Sequence, residues 1–245
     1  MFDATRPLIH QRLVCLGSIK AHSKPTGSLL GNPKRTPGVF ERLVDADRSG
    51  VLPHTRRLTF KPSHTNSYQY FYPRHLQEYL PYLRSITKLH TLTLNAFDIS
   101  PFIPVFNEHF GMFANTLRHL NIRNTHATTR DLTYIMCQFP LLEDLTIAHP
   151  VELEIAHPGD KVPVITQSPP LRGKLALVWA GPMLSGGLAA FPGGLNFRSL
   201  ELSWSRNLGP ILAACSHTAT SVSYLWPRLN IYGEPNLPTR MRIAV

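Results

Sequence analysis

Residues 117–147 read LRHLNIRNTHATTRDLTYIMCQFPLLEDLTI, and both ends carry one pattern, L-x-x-L-x-I, set 25 residues apart. Between them Leu132, Ile135, Met136 and Phe139 fall at i, i+3, i+4 and i+7, a single apolar stripe along a helix. Thr128 with Asp131 has capping-box spacing, and Pro140 ends the periodic run. The unit is therefore expected to run strand, turn, short helix, strand. Leucines at the first, fourth and sixth positions suit a strand that buries one side against that helix. One such unit cannot cover its own apolar face, so a chain built this way has to repeat it.

With the middle leucine as marker, the pattern recurs as TRRLTF at Leu58, LHTLTL at Leu92, LRHLNI at Leu120 and LEDLTI at Leu145. It continues as RGKLAL at Leu175, FRSLEL at Leu200 and VSYLWP at Leu225, in steps of 34, 28, 25, 30, 25 and 25 residues. Helical candidates fill the gaps: Leu76, Leu80 and Leu83; Phe102, Phe106, Phe110 and Phe113; Leu184, Leu188 and Phe191; Ile211 and Leu212. Leucine-rich repeats run about 20 to 29 residues with strands of this pattern. The predicted fold class is α/β, an irregular leucine-rich-repeat solenoid with short parallel strands on the concave face and short helices outside. Such repeats usually hold Asn or Cys three residues after the sixth-position leucine. Here Phe97, Thr125, Pro150 and Ser205 stand there, which predicts looser turns.

Composition sets the boundaries. Prolines number 22 in 245 residues and gather at 150–170 and 227–238, and with Gly, Lys and Ser at 23–38. The expected organisation is an N-terminal segment 1–19, a basic linker 20–50, the solenoid 51–226 and a Pro-rich tail 227–245. Three cysteines without C-x-x-C spacing argue for a reducing compartment, and the first residues lack a signal-peptide core, so an intracellular protein, cytoplasmic or nuclear, is expected. Leu175 to Phe197 is uncharged and long enough to cross a bilayer, but its five glycines and two prolines favour a buried coil over a membrane span. Residues 1–90 carry 14 Lys or Arg against 5 Asp or Glu, residues 91–170 carry 4 against 8, and residues 171–245 carry 7 against 2. The basic ends could steer the chain to nucleic acid or to acidic partners, yet no aromatic-interleaved basic strip accompanies them, so nucleic acid is disfavoured.

Catalytic chemistry finds no foothold. Twelve histidines are scattered; His149 and His157, with Glu152 and Glu154 between them, lack metal-ligand spacing. Cys215 and His217 are neighbours in sequence, whereas a nucleophile and its base must converge in space. Neither a phosphate-binding glycine loop nor a G-x-S-x-G elbow occurs. No enzyme activity, cofactor or metal is expected.

The block LHTLTLNAFDIS…LRHLNIRNTHATTRDLTYIMCQFPLLEDLTI, with LRGKLALVWAG…LAAFPGGLNFRSLEL, resembles the leucine-rich-repeat part of fungal, basidiomycete-type F-box proteins over roughly residues 1–226. In that group an F-box docks on the adaptor subunit of an SCF-type ubiquitin ligase while the repeats hold the protein to be ubiquitinated. FDATRPLIHQRLVCL resembles the segment after an F-box, so the resemblance implies an F-box upstream, and an adaptor partner only if one is present. A free-standing repeat scaffold is the alternative. Strand alternation would turn the third- and fifth-position residues to the concave face. The expected partner-binding set is Thr91, Thr93, His119, Asn121, Asp144, Thr146, Lys174, Ser199, Glu201, Tyr224 and Trp226. Tyr and Trp are the types that most often anchor protein interfaces.

Overall fold

A computed structural model describes residues 12–17, 39–62, 79–97, 99–150, 168–205, 207–229 and 235–244. Their strands form one nine-stranded sheet in which neighbours follow sequence order. The strands are β1 (Arg12–Gly17), β2 (Arg57–Pro62), β3 (Thr91–Asn95), β4 (His119–Arg123), β5 (Asp144–Ala148), β6 (Lys174–Val178), β7 (Ser199–Ser203), β8 (Ser221–Leu229) and β9 (Pro235–Ala244). Each pairs in parallel with the next, except β8 and β9, which are antiparallel. Helices stand between the parallel strands: α1 (Val39–Arg48), α2 (Leu80–Arg84), α3 (Ile103–Phe110), α4 (Thr129–Cys137), α5 (Pro182–Ala189) and α6 (Gly209–Ala214). The architecture is α/β, with an open sheet.

The leucine pattern dictates the register. Leu58, Leu92, Leu120, Leu145, Leu175 and Leu200 lie side by side across β2 to β7, and Phe60, Leu94, Ile122, Ile147, Leu177 and Leu202 form the second row. All are buried in one cluster with Leu83, Phe106, Phe110, Leu132, Ile135, Leu184 and Ile211 from the helices. Successive helices α3, α4, α5 and α6 touch one another, so they form a layer against this side of the sheet. Strand side chains alternate between faces, which leaves the third- and fifth-position residues on the opposite, open face.

Phenylalanines make the core contiguous from coil to coil. Phe60 meets Phe97 and Phe110 edge to face at 5.9 and 6.1 Å, and Phe106 meets Phe139 at 6.0 Å. Such pairs add about 0.5–1.5 kcal/mol each beyond the area they bury. The capping box at α4 is present: Thr128 Oγ1 accepts the Asp131 N–H at 3.0 Å, and Asp131 Oδ2 accepts the Thr128 N–H at 3.1 Å. Ser100 also donates to Asp131 Oδ2, at 2.7 Å, tying the cap to the preceding coil.

Several expectations need correction. The sheet begins earlier than residue 51, because Leu13 of β1 pairs with Leu58, and helix α1 occupies the end of the expected linker. The expected tail contains β9, which closes the C-terminal edge by pairing with β8. In the last parallel strand the marker is Val222, three residues before Leu225, since Val222 is the partner of Leu200. The turns are not uniformly loose. Ser205 Oγ accepts the N–H of Ala180 at 3.1 Å and lies 3.1 Å from the Ser203 carbonyl, so the serine standing at the Asn or Cys position ties its turn to the one after β6. The uncharged run from Leu175 onward folds as β6 and α5, and among the described residues no helix is long and apolar enough to cross a membrane. Leu76 and most of the proline-rich 150–170 stretch lie outside the described residues.

Candidate functional site: the open face of the sheet

On the open face, Thr91, His119 and Asp144 align across β3 to β5, and Lys174, Ser199 and Ser221 continue that row across β6 to β8. The inner row is Thr93, Asn121, Thr146, Ala176, Glu201 and Ser223. Lys174 is exposed and its neighbours in these rows are mostly half-buried, but Ala176 is buried.

Polar bonds run along the rows from coil to coil. His119 Nδ1 lies 2.6 Å from Asp144 Oδ2, and Asp144 Oδ1 accepts the Lys174 N–H at 2.6 Å. Lys174 Nζ pairs with Glu201, and Arg118 pairs with Glu143 at the rim. Asn121 donates to Thr93 Oγ1 at 3.2 Å, and Ser221 to Ser199 Oγ at 3.2 Å. Gly173 is needed for this arrangement: a Cβ there would stand 1.8 Å from Asp144 Oδ1. His90, just outside the row, titrates below its ordinary value of 6.5, first through burial and then through the charges of Arg56, Arg118 and His119.

The structure thus brings together Thr91, Thr93, His119, Asn121, Asp144, Thr146, Lys174, Ser199 and Glu201. Tyr224 does not join them. Its register partner is Leu202, so it packs against the core, and burial raises its phenol pKa. The residues that take its expected places are Ser221 and Ser223. Trp226 belongs to β8, beside the irregularity between Trp226 and Arg228, but its side chain lies outside the described residues.

A second feature, missed in the sequence, stands at the C-terminal ends of the strands. Ala96, Asn124, His149, Trp179 and Trp204 each follow their marker leucine by the same interval, and all have positive φ, from 48° to 60°. The backbone imposes this turn: the N–H groups of Ala96, Asn124, His149 and Trp179 donate to Arg123, Ala148, Val178 and Ser203 of the next coil at 2.8–2.9 Å. Glycine or asparagine suits such a position, and bulky residues are strained there. Three successive coils nevertheless carry aromatic rings at it. Trp179 stacks on Trp204 at 4.7 Å and 15°, and His149 stacks on Trp179 at 5.9 Å and 29°. Trp179 remains 50% exposed, so the stack reaches the surface at the C-terminal ends of β5, β6 and β7. Laying the coils under one another by their marker leucines would have revealed it.

Catalytic convergence is absent among the described residues. Cys215 is buried at the end of α6 while His217 is exposed, and burial raises the Cys215 thiol pKa. Burial likewise pushes the Cys137 thiol up to about 11, leaving it a packing residue of α4. The described residues contain no cluster of metal-ligating side chains, and His157, Glu152 and Glu154 lie outside them. What this surface can do chemically is to offer aligned hydrogen-bonding and charged groups, with an aromatic stack at the C-terminal ends of β5 to β7. No protein-family model, curated protein or solved structure matches the chain.

Proposed function

We propose that the chain is a non-enzymatic protein-interaction module, an irregular leucine-rich-repeat solenoid whose open sheet face holds a protein partner. The observation that carries this is the register of the parallel strands, each pairing with the next in sequence. It lays one polar residue from each strand into continuous rows on a face that none of the described helices covers. Residue types on that face support recognition: Asp144, Lys174 and Glu201 supply charge, and Trp179 and Trp204 supply the aromatic edge typical of interface anchors. Its resemblance to the repeat part of fungal F-box proteins gives the bound protein a role, that of a substrate presented to an SCF-type ubiquitin ligase. A free-standing scaffold is the second reading, and it differs only in lacking the adaptor.

Charge reversal tests the face. Partner capture from the native cell by the wild-type chain is compared with that by Asp144→Lys/Glu201→Lys, and with Glu108→Lys, at an exposed position of helix α3, as control. The face variant is expected to lose the partner and the control to keep it. Loss by the control alone would move the site to the helices. Co-purification of an SCF adaptor with the product of the complete gene separates the ligase from the scaffold.

A further inference from the structure

Across the middle and C-terminal strands, charges at neighbouring positions are complementary: Arg118 with Glu143, His119 with Asp144, Lys174 with Glu201. Toward the N-terminus that complementarity stops. Arg56, His90 and Arg118 occupy the same position in three successive coils. The Arg56 carbonyl accepts the N–H groups of His90 and Thr91, and the His90 carbonyl accepts those of Arg118 and His119. Adjacent strands are about 4.8 Å apart, so three basic side chains leave one rim of the sheet in a row. Arg57 and His119 stand in the row behind, either side of Thr91. Arg56, Arg57 and Arg118 are all exposed. Arg118 has Glu143, but among the described residues Arg56 and Arg57 form no ion pair. Like charges beside one another across strands oppose folding. Among the described residues the ion pairs along this edge stop at Arg118, so the Arg56 and Arg57 end of the row carries positive charge with no matching carboxylate.

We infer that the rim formed by Arg56, Arg57, His90 and Arg118 is the docking point for an acidic stretch of the partner protein, a run of Asp and Glu side chains. This rests on the assignment of the open face to protein binding and specifies the chemistry of the partner there. His90 titrates below its ordinary value first through burial and then through the charges of Arg56, Arg118 and His119, and carboxylates docked at the rim would offset the second cause. Nucleic acid fits the rim less well. Surfaces that hold single strands interleave cations with aromatic platforms, and the exposed aromatic stack of this molecule follows β5, β6 and β7 at the opposite strand ends.

The test uses the full chain at low salt and a hexaglutamate peptide, with the His90 ring followed by NMR between pH 5 and 8. Saturable binding is expected, with the His90 midpoint rising toward 6.5 in the complex. Arg56→Gln/Arg118→Gln is expected to weaken binding at least tenfold, while Arg172→Gln/Arg198→Gln, exposed arginines on later coils, leaves it unchanged. Because Arg118→Gln also releases Glu143, Arg56→Gln is measured alone and must itself weaken binding. Absence of saturable binding, an unmoved His90 midpoint, or equal loss in the later-coil variant overturns the assignment. So does a ten-residue oligothymidylate that binds more tightly than hexaglutamate and is lost with the same arginines. Asp144→Lys/Glu201→Lys separates the two proposals: partner capture read through that variant judges the open face, and hexaglutamate binding judges the rim.

Discussion

At Trp179 the usual order of alanine and glycine should be reversed. In a regular helix or strand, Gly is less stable than Ala by roughly 0.5–1 kcal/mol. Trp179, however, is held at φ 60° by the bond from its N–H to the Ser203 carbonyl at 2.8 Å. A non-glycine residue in that region costs on the order of 1–3 kcal/mol. Trp179→Ala keeps most of that strain and loses two ring contacts, to His149 at 5.9 Å and Trp204 at 4.7 Å, each worth about 0.5–1.5 kcal/mol. Half exposure of the ring places the loss toward the low end, about 1–2 kcal/mol in total. Trp179→Gly loses the same contacts but releases the strain, so it should be about 1 kcal/mol more stable than Trp179→Ala and close to wild type. For a chain of this length that difference is roughly 2–4 °C in Tm. Urea unfolding followed by circular dichroism, with wild type, Ala and Gly side by side, measures it. A glycine variant no more stable than the alanine variant would refute the left-handed turn as the reason for the column.

Other consequences follow from single contacts. Thr128→Ala removes one half of the α4 capping box and should cost about 0.5–2 kcal/mol by chemical denaturation. Gly173→Ala drives a methyl group against Asp144 Oδ1, and its Cβ would lie 3.3 Å from the Glu143 carbonyl; we expect about 1–3 kcal/mol of destabilisation, most of it recovered when Asp144→Ala is added. His90 is held neutral more strongly in the folded chain than in the unfolded one, so its contribution is complete above about pH 6.5 and falls as pH drops toward its folded midpoint. His90→Asn should flatten the urea midpoint against pH over that interval. Cys137, with its thiol raised to about 11, should react with iodoacetamide at pH 8 only when the chain unfolds, which mass spectrometry across a urea series will show.

Strands β2 to β7 were legible because each repeats the same leucines at alternate positions, and a sheet with one buried face fixes its register by that alternation. Helix α4 was legible from its apolar stripe and from Thr128 and Asp131, whose side chains act locally. Strands β1 and β9 escaped, and the register of β8 was misplaced. Strand β1 stands far from Leu58 with no second copy of the pattern near it, so only the pairing of Leu13 with Leu58 reveals it. Strand β9 carries Pro235 and Pro238, which read as breakers, yet an edge strand tolerates prolines where no neighbour needs the N–H. Leu225 attracted the register because it is a leucine, while the core position went to β-branched Val222; that shift turned Tyr224 inward. The open-face rows survived because they depend on period two alone. Charge pairing on that face was not legible, since matching His119 to Asp144 or Lys174 to Glu201 requires knowing which strands are neighbours. The aromatic column was hidden for a different reason: its members share a backbone conformation, not a residue type.

The most direct test of the central claim places a photo-crosslinking amino acid at Thr146, in the middle of the open face, and separately at exposed Glu108 on α3. Irradiation of cells expressing each form is followed by mass spectrometry of the adducts. A binding face predicts a discrete adduct from position 146 that disappears with Asp144→Lys/Glu201→Lys, and no matching adduct from position 108. The same adduct from both positions, or one that survives the charge reversal, would contradict it.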